Sequence, residues 1–151
     1  MNGKKAYLDS SVILKRYLLE DGSETAKTLF QNAYRGKLRI VFSFWNIGEV
    51  LGVFNRKFRR GEMDRREYDF LRNGFLGEVK RLSALDVLKI VPVHSILLAE
   101  SWKLIEEHHL YQADALQVVS ARHASVDEFY TSNKQLHKIA LKEGLNSRLV
   151  G

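Results

Sequence analysis

Ala6-Tyr7-Leu8-Asp9-Ser10-Ser11-Val12-Ile13-Leu14 begins as an apolar strand, stops at a carboxylate, passes two hydroxyls and restarts as an apolar helix. A strand that enters a helix through a short polar corner is how an open α/β sheet presents side chains at the carboxyl ends of its strands. That edge is where such folds bind ligands. Asp9 stands on the corner, and Ser10 or Ser11 can cap the helix by accepting a bond from a free backbone N–H. Taken alone, Asp9 reads equally well as a helix cap. Its chemical interest comes from other carboxylates that fall at equivalent corners further along.

Outward from this corner, Val12 to Leu19 reads as a short helix broken by Asp21-Gly22. Ser23 then caps an amphipathic helix from Glu24 to Tyr34, with Ala26, Leu29, Phe30 and Ala33 on its inner face. Leu38 to Phe42 is a second strand, rich in β-branched and aromatic residues. Ser43 marks the next corner, and a helix from Trp45 to Arg59 follows. Asp64 caps a helix from Arg65 to Leu82, and Leu85 to Val91 alternates as a third strand closed by Pro92. Ser95 to His108 is helical by period, with Ile96, Ala99, Trp102 and Ile105 expected to face inward. Ala113 to His123 is a further helix, Glu128 to Thr131 a fourth strand, Asn133 to Glu143 a short helix and Ser147 to Val150 a fifth strand. Strands alternating with helices across short connections argue for a parallel sheet with helices on both faces. The expected fold is one α/β domain over residues 1–151, with a parallel sheet of about five strands.

Composition narrows the chemistry. Cysteine is absent, which excludes disulfides, thiolate metal sites and cysteine nucleophiles together. No long uncharged apolar run predicts a membrane span. Met1-Asn2-Gly3-Lys4-Lys5 leads straight into a strand rather than a signal-peptide core, so a cytoplasmic location is expected. Basic residues number 24 against 18 acidic, a net charge of +6 that makes a polyanion a reasonable partner. If carboxylates gather in one site, the remaining surface is more basic still. A metal-dependent nuclease needs both.

Asp9, Glu49, Asp114 and Asn133 all lie where a strand hands over to a helix, or in the first turns of a helix beside the sheet. In a parallel sheet such positions converge on one edge although they are far apart in sequence. Glu49 borders the apolar stripe Ile47, Val50, Leu51 and Phe54, with no basic residue three or four positions away, so a bound cation would supply its partner. Carboxylates without cysteine or a histidine cluster point to a hard ion, Mg²⁺ or Mn²⁺. Such an ion lowers the pKa of a water, and a second one roughly 3.5–4 Å away steadies a leaving oxygen. Ser10 and Ser11 have no histidine or lysine placed to activate them, so capping or supporting hydrogen bonds suit them better than nucleophilic attack.

Tyr7-Leu8-Asp9-Ser10-Ser11-Val12-Ile13, Ser43 through Glu49-Val50, Ala113-Asp114-Ala115-Leu116 and Tyr130-Thr131-Ser132-Asn133 resemble, in order, the successive motifs of the PIN-domain family. Within it, the chain most resembles the VapC-type toxins of prokaryotic toxin–antitoxin pairs. The resemblance implies Mg²⁺- or Mn²⁺-dependent cleavage of RNA phosphodiesters, a homodimer or higher assembly, and an antitoxin whose tail blocks the site. It implies Asp9, Glu49 and Asp114 as catalytic metal ligands and Thr131 as the hydroxyl of the fourth motif, with Ser11, Thr131 and Asn133 supporting the site or orienting a water. Asn133 stands where the family often has aspartate. Its neutral carbonyl adds no charge, so a weaker second-ion site is expected.

Lys15 and Arg16, a helical turn beyond Asp9, are expected to hold a phosphate. Arg56, Lys57, Arg59, Arg60, Arg65 and Arg66 straddle a turn between helices. Arg56 and Arg60 are the RNA contacts proposed there, with a solvated face, antitoxin contact or dimer contact as rivals. His108-His109 point in different directions on a helix and do not read as a metal pair. Trp45, Phe54, Trp102 and Phe129 are expected in the core, while Tyr17, Tyr68 and Phe75 could join a dimer surface. Two other functions share the fold: a PIN-like RNA- or protein-binding module with little catalysis, and a phosphoacceptor receiver domain. The second is disfavoured because Asp9 stands beside serines rather than in an acidic pair.

Overall fold

The computed structural model describes residues 3–151; Met1 and Asn2, part of the expected lead-in, lie outside the described residues. The chain runs β1 (Lys4–Leu8), α1 (Ser10–Tyr17), α2 (Ser23–Tyr34), β2 (Leu38–Ser43), α3 (Phe44–Arg59), α4 (Arg65–Ala84) and β3 (Leu88–Val91). It continues through α5 (Ser95–His108), α6 (Gln112–His123), β4 (Glu128–Thr131), α7 (Lys134–Lys142) and β5 (Ser147–Leu149). The five strands form one sheet in the order β3-β2-β1-β4-β5, and every neighbouring pair is parallel. After β1 the chain builds outward on one side through β2 and β3, then returns to lay β4 and β5 on the other. The switch point therefore falls between β1 and β4, where an open sheet splays its loops apart and leaves a crevice.

The central strand is buried on both faces, with Ala6, Tyr7 and Leu8 fully enclosed. Tyr7 stacks on Phe129 of the neighbouring strand at 5.4 Å between ring centroids. The α6 helix is buried along most of its length because Ala115, Ala121, Val118 and Val119 let it approach the sheet closely. Tyr17, Phe54 and Phe75 pack edge to face between α1, α3 and α4.

Several expected details differ. Asp9 itself is the N-cap of α1, accepting from the Val12 N–H, so Ser10 and Ser11 lie inside the first turn instead of capping it. Gly22, not Ser23, is the N-cap residue of α2, and the Ser23 hydroxyl instead bridges the Leu18 carbonyl and the Glu20 N–H. The third strand starts at Leu88 because α4 runs on to Ala84 and Asp86 adopts a left-handed conformation at φ 59°. In α5 the inner face is Leu97, Ser101 and Leu104, which pack toward α6. Ile96 and Trp102 point outward, 68% and 57% exposed, and Trp45 is also exposed. Phe75, considered for a surface, is buried. In a helix with apolar residues all round, periodicity does not fix which face turns inward.

Candidate active site

Asp9 follows the last residue of β1, and its backbone N–H donates to the Tyr130 carbonyl of β4, so the residue sits in the β1/β4 crevice. Its carboxylate is almost fully buried. Oδ1 accepts from the Ser11 hydroxyl and from the Val12 N–H at 3.2 Å, and Oδ2 accepts from Thr131 Oγ1 at 2.5 Å. Burial pushes the Asp9 carboxyl up to about 6; these three hydrogen bonds oppose the shift, and the charge of Asp114 adds to it.

Asp114 is the third residue of α6, where a helix N-terminus favours an anion. Its carboxyl is nonetheless raised, first by burial and then by the charge of Glu49. The three carboxylates thus lie within one another's fields: Asp114 acts on Asp9, and Glu49 on Asp114. They do not close to within 4.8 Å of one another; among the described residues that spacing is reached by Glu107, His108 and Glu143. The latter set is a clasp between helices, in which Arg122 and His108 already hold Glu143 at 2.8 and 3.0 Å.

Glu49 is held from below. Ser10 Oγ donates to its Oε1 at 2.6 Å, and Asn46 Nδ2 donates to Ser10 Oγ and to Gln117 Oε1, both at 2.8 Å. Asn46 Oδ1 accepts from Tyr7 O–H at 2.9 Å and from the Ser43 N–H at 2.7 Å. Fully buried, Asn46 therefore ties β1, the start of α3, and α6 into one polar network beneath the carboxylates. Asn46 is not among the residues expected at the site; its sign in the sequence is the Ser43-x-x-Asn46 spacing of a capping box, which the structure contains.

Thr131 ends β4, and Ser11 also accepts from the Ser132 N–H at 3.0 Å, so both hydroxyls hold the corner and Asp9 together. Asn133 caps α7, and its carbonyl oxygen accepts from the Leu136 N–H at 3.0 Å with one of its two lone pairs. The expected phosphate-binding cations divide. Arg16 makes a two-pronged pair with Glu78 at 3.0 and 3.1 Å, and Lys15, itself buried, pairs with Glu20 at 3.2 Å. Arg16 is thus held by a buried carboxylate and Lys15 by an exposed one. Arg56 and Arg60 are exposed on α3 and at its C-cap, and Arg56 lines a groove that reaches Glu49.

Buried carboxylates elsewhere in the molecule have cations: Glu78 has Arg16, and Glu128 has Arg148 at 3.1 Å. Among the described residues, Asp9, Glu49 and Asp114 form no ion pair with a lysine, arginine or histidine. A set of facing carboxylates that repel one another and lack an internal counter-charge fits a divalent cation.

The PIN domain family model matches residues 6–142. No curated protein matches the sequence significantly. Among solved structures, the chain is similar to Mycobacterium tuberculosis VapC20, described as a sarcin-ricin loop cleaving toxin, at TM-score 0.65 and 17% identity over 93% of this chain and 95% of that one. It is similar to FitAB bound to a DNA fragment at TM-score 0.70 and 12% identity, over 95% and 94% of the two chains. A third similar structure is PAE2754 from Pyrobaculum aerophilum, at TM-score 0.63 and 15% identity over 95% and 89%. At these identities the likeness is one of fold.

Proposed function

The chain belongs to the PIN-domain family, and from that membership together with the geometry of the β1/β4 crevice we propose that it is a Mg²⁺- or Mn²⁺-dependent endoribonuclease of the VapC toxin kind. One observation carries the proposal. Asp9, Glu49 and Asp114 come from three distant segments and, among the described residues, none of them pairs with a lysine, arginine or histidine. In this reading the three carboxylates hold the ion, which when bound polarises a phosphoryl oxygen and lowers the pKa of a water. Thr131 and Ser11 keep Asp9 ionised and oriented; Ser10 and Asn46 do the same for Glu49.

Partners follow from the same reading. The charge of +6 suits RNA. An exposed apolar groove of about 630 Å³ between α1, α3 and α4, with Leu19 and Phe70 almost uncovered, is a suitable seat for an antitoxin segment. A homodimer is part of the proposal. Among the described residues, no helix is long and apolar enough to cross a membrane. The test is calorimetric titration of Mn²⁺ into wild type and Asp114→Asn, followed by incubation of both with a mixed-sequence RNA. Metal binding and cleavage by wild type alone is the expected result; absence of metal binding in wild type overturns the reading. Metal binding without cleavage would favour the second reading, an inactive binding module, which the neutral side chain of Asn133 supports.

A further inference from the structure

A second feature adjoins the carboxylates. A groove of about 650 Å³ runs from Ser10 and Glu49 along the outer face of α3, lined by Phe44, Trp45, Gly48, Gly52, Val53 and Arg56. Trp45, Glu49, Gly52 and Arg56 recur at helical spacing, so they share one face of α3. Phe44 and Trp45 are 58% and 43% exposed at the mouth of the crevice. At the other end, roughly 10 Å along the helix axis from Glu49, Arg56 has no carboxylate partner among the described residues. The floor between is glycine. A Cβ at either Gly48 or Gly52 would meet nothing within 4 Å, so the fold does not require either residue. Each destabilises the helix relative to alanine. Their effect is to keep a shallow, open channel between the aromatic rings and the arginine.

We propose that this face of α3 is a nucleobase-and-phosphate subsite that receives single-stranded RNA beside the reacting carboxylates, with a base stacked on Trp45 and Phe44 and a phosphate held by Arg56. The inference rests on the nuclease reading for its substrate but not for its geometry. Unstacked bases on aromatic faces, with cations along the backbone, are how proteins bind single strands; duplex RNA buries its base faces. A polyanion suits the occupant better than a second copy of this chain, because Arg56 offers a phosphate an exposed cation and a copy seated here would cover Glu49 and Ser10.

The experiment is direct because one of the two tryptophans is in the groove. In a Trp102→Phe background with chelator present, a single-stranded ribo-oligonucleotide of mixed sequence is titrated while Trp45 fluorescence is followed. Saturable quenching is expected, and a duplex of the same length should give little. Phe44→Ala should weaken binding by roughly tenfold. Arg56→Gln should weaken it less and flatten its salt dependence. Trp45→Ala, followed by filter binding, should lose affinity by a similar factor while its thermal midpoint stays near that of wild type. Quenching without cleavage when Mn²⁺ is restored would leave the subsite standing and remove the nuclease reading. Cleavage by wild type with no quenching, and with Trp45→Ala and Arg56→Gln as fast as wild type, would remove the subsite and leave the nuclease reading. Sedimentation showing a dimer that Gly52→Leu dissolves, with no RNA effect, would assign the face to a second copy and overturn the proposal.

Discussion

Thr131 Oγ1 at the end of β4 donates to Asp9 Oδ2 at the end of β1, at 2.5 Å, and accepts in turn from the Asn133 N–H at 3.0 Å. One hydroxyl thus joins the two strands that bound the crevice and holds a buried carboxylate in its charged form. Thr131→Val should cost about 1–3 kcal/mol in urea unfolding, since it strands an acceptor and a donor. It should also raise the Asp9 carboxyl further, so Mn²⁺ affinity should fall more at mildly acidic than at alkaline pH. Thr131→Ser should restore both.

Asp9 in the folded chain titrates near 6, against 3.8 for an unperturbed carboxyl. Between those values the folded chain keeps a proton that the unfolded chain has released. The associated stabilisation is complete below the unfolded value and is lost as pH rises through the folded one. Without metal, Asp9→Asn should therefore gain stability relative to wild type on going from about pH 4 to about pH 8, by on the order of 3 kcal/mol. Paired urea titrations in chelator check this. Added Mn²⁺ should stabilise wild type alone.

Asp114→Asn relieves the repulsion that raises both Asp114 and Asp9. It should abolish Mn²⁺ binding while leaving the metal-free thermal midpoint equal to or above that of wild type. A lower midpoint would mean that Asp114 serves the fold rather than an ion.

Asn46→Ala would leave Tyr7, Ser10, Gln117 and the Ser43 N–H each short of a partner in a buried setting. A loss of about 3 kcal/mol or more is expected from denaturation curves. Cleavage should fall with it, because Ser10 then no longer fixes Glu49.

Arg16 and Arg56 should separate cleanly. Burial pushes the Glu78 carboxyl up, but Arg16, Tyr17 and Tyr34 more than reverse this and leave it below the ordinary range. Arg16→Met should cost roughly 2–4 kcal/mol of stability with no change in the salt dependence of RNA binding. Arg56→Gln should do the opposite.

The fold was readable because each corner is local: an apolar run, a polar residue and a new apolar run at Asp9, Ser43 and Asn133 predict strand-to-helix turns wherever they occur. Asp9 lies at such a corner, whereas Glu49 lies in the second turn of α3 and Asp114 in the first turn of α6, which follows α5 and not a strand. Arg16 was assigned by its distance along the chain from Asp9, but its partner Glu78 lies 62 residues away, and pairing at that range has no local sign. Trp45 and Trp102 went to the core on hydrophobicity alone, although the glycines after Trp45 mark that face of α3 as uncovered. The double duty of Asp9, helix cap and acid, was posed as a choice; in the structure one carboxylate does both.

The strand order has a consequence for synthesis. A growing chain releases Asp9 and Glu49 early, yet Asp114 arrives only with α6, and the Thr131 hydroxyl that holds Asp9 Oδ2 only with the insertion of β4 beside β1. Until most of the polypeptide has left the ribosome, the carboxylates remain scattered acids. On the nuclease reading proposed above, a chain still being made beside ribosomal and messenger RNA is unarmed, and the closing of β4 onto β1 marks the moment its cutting edge first exists.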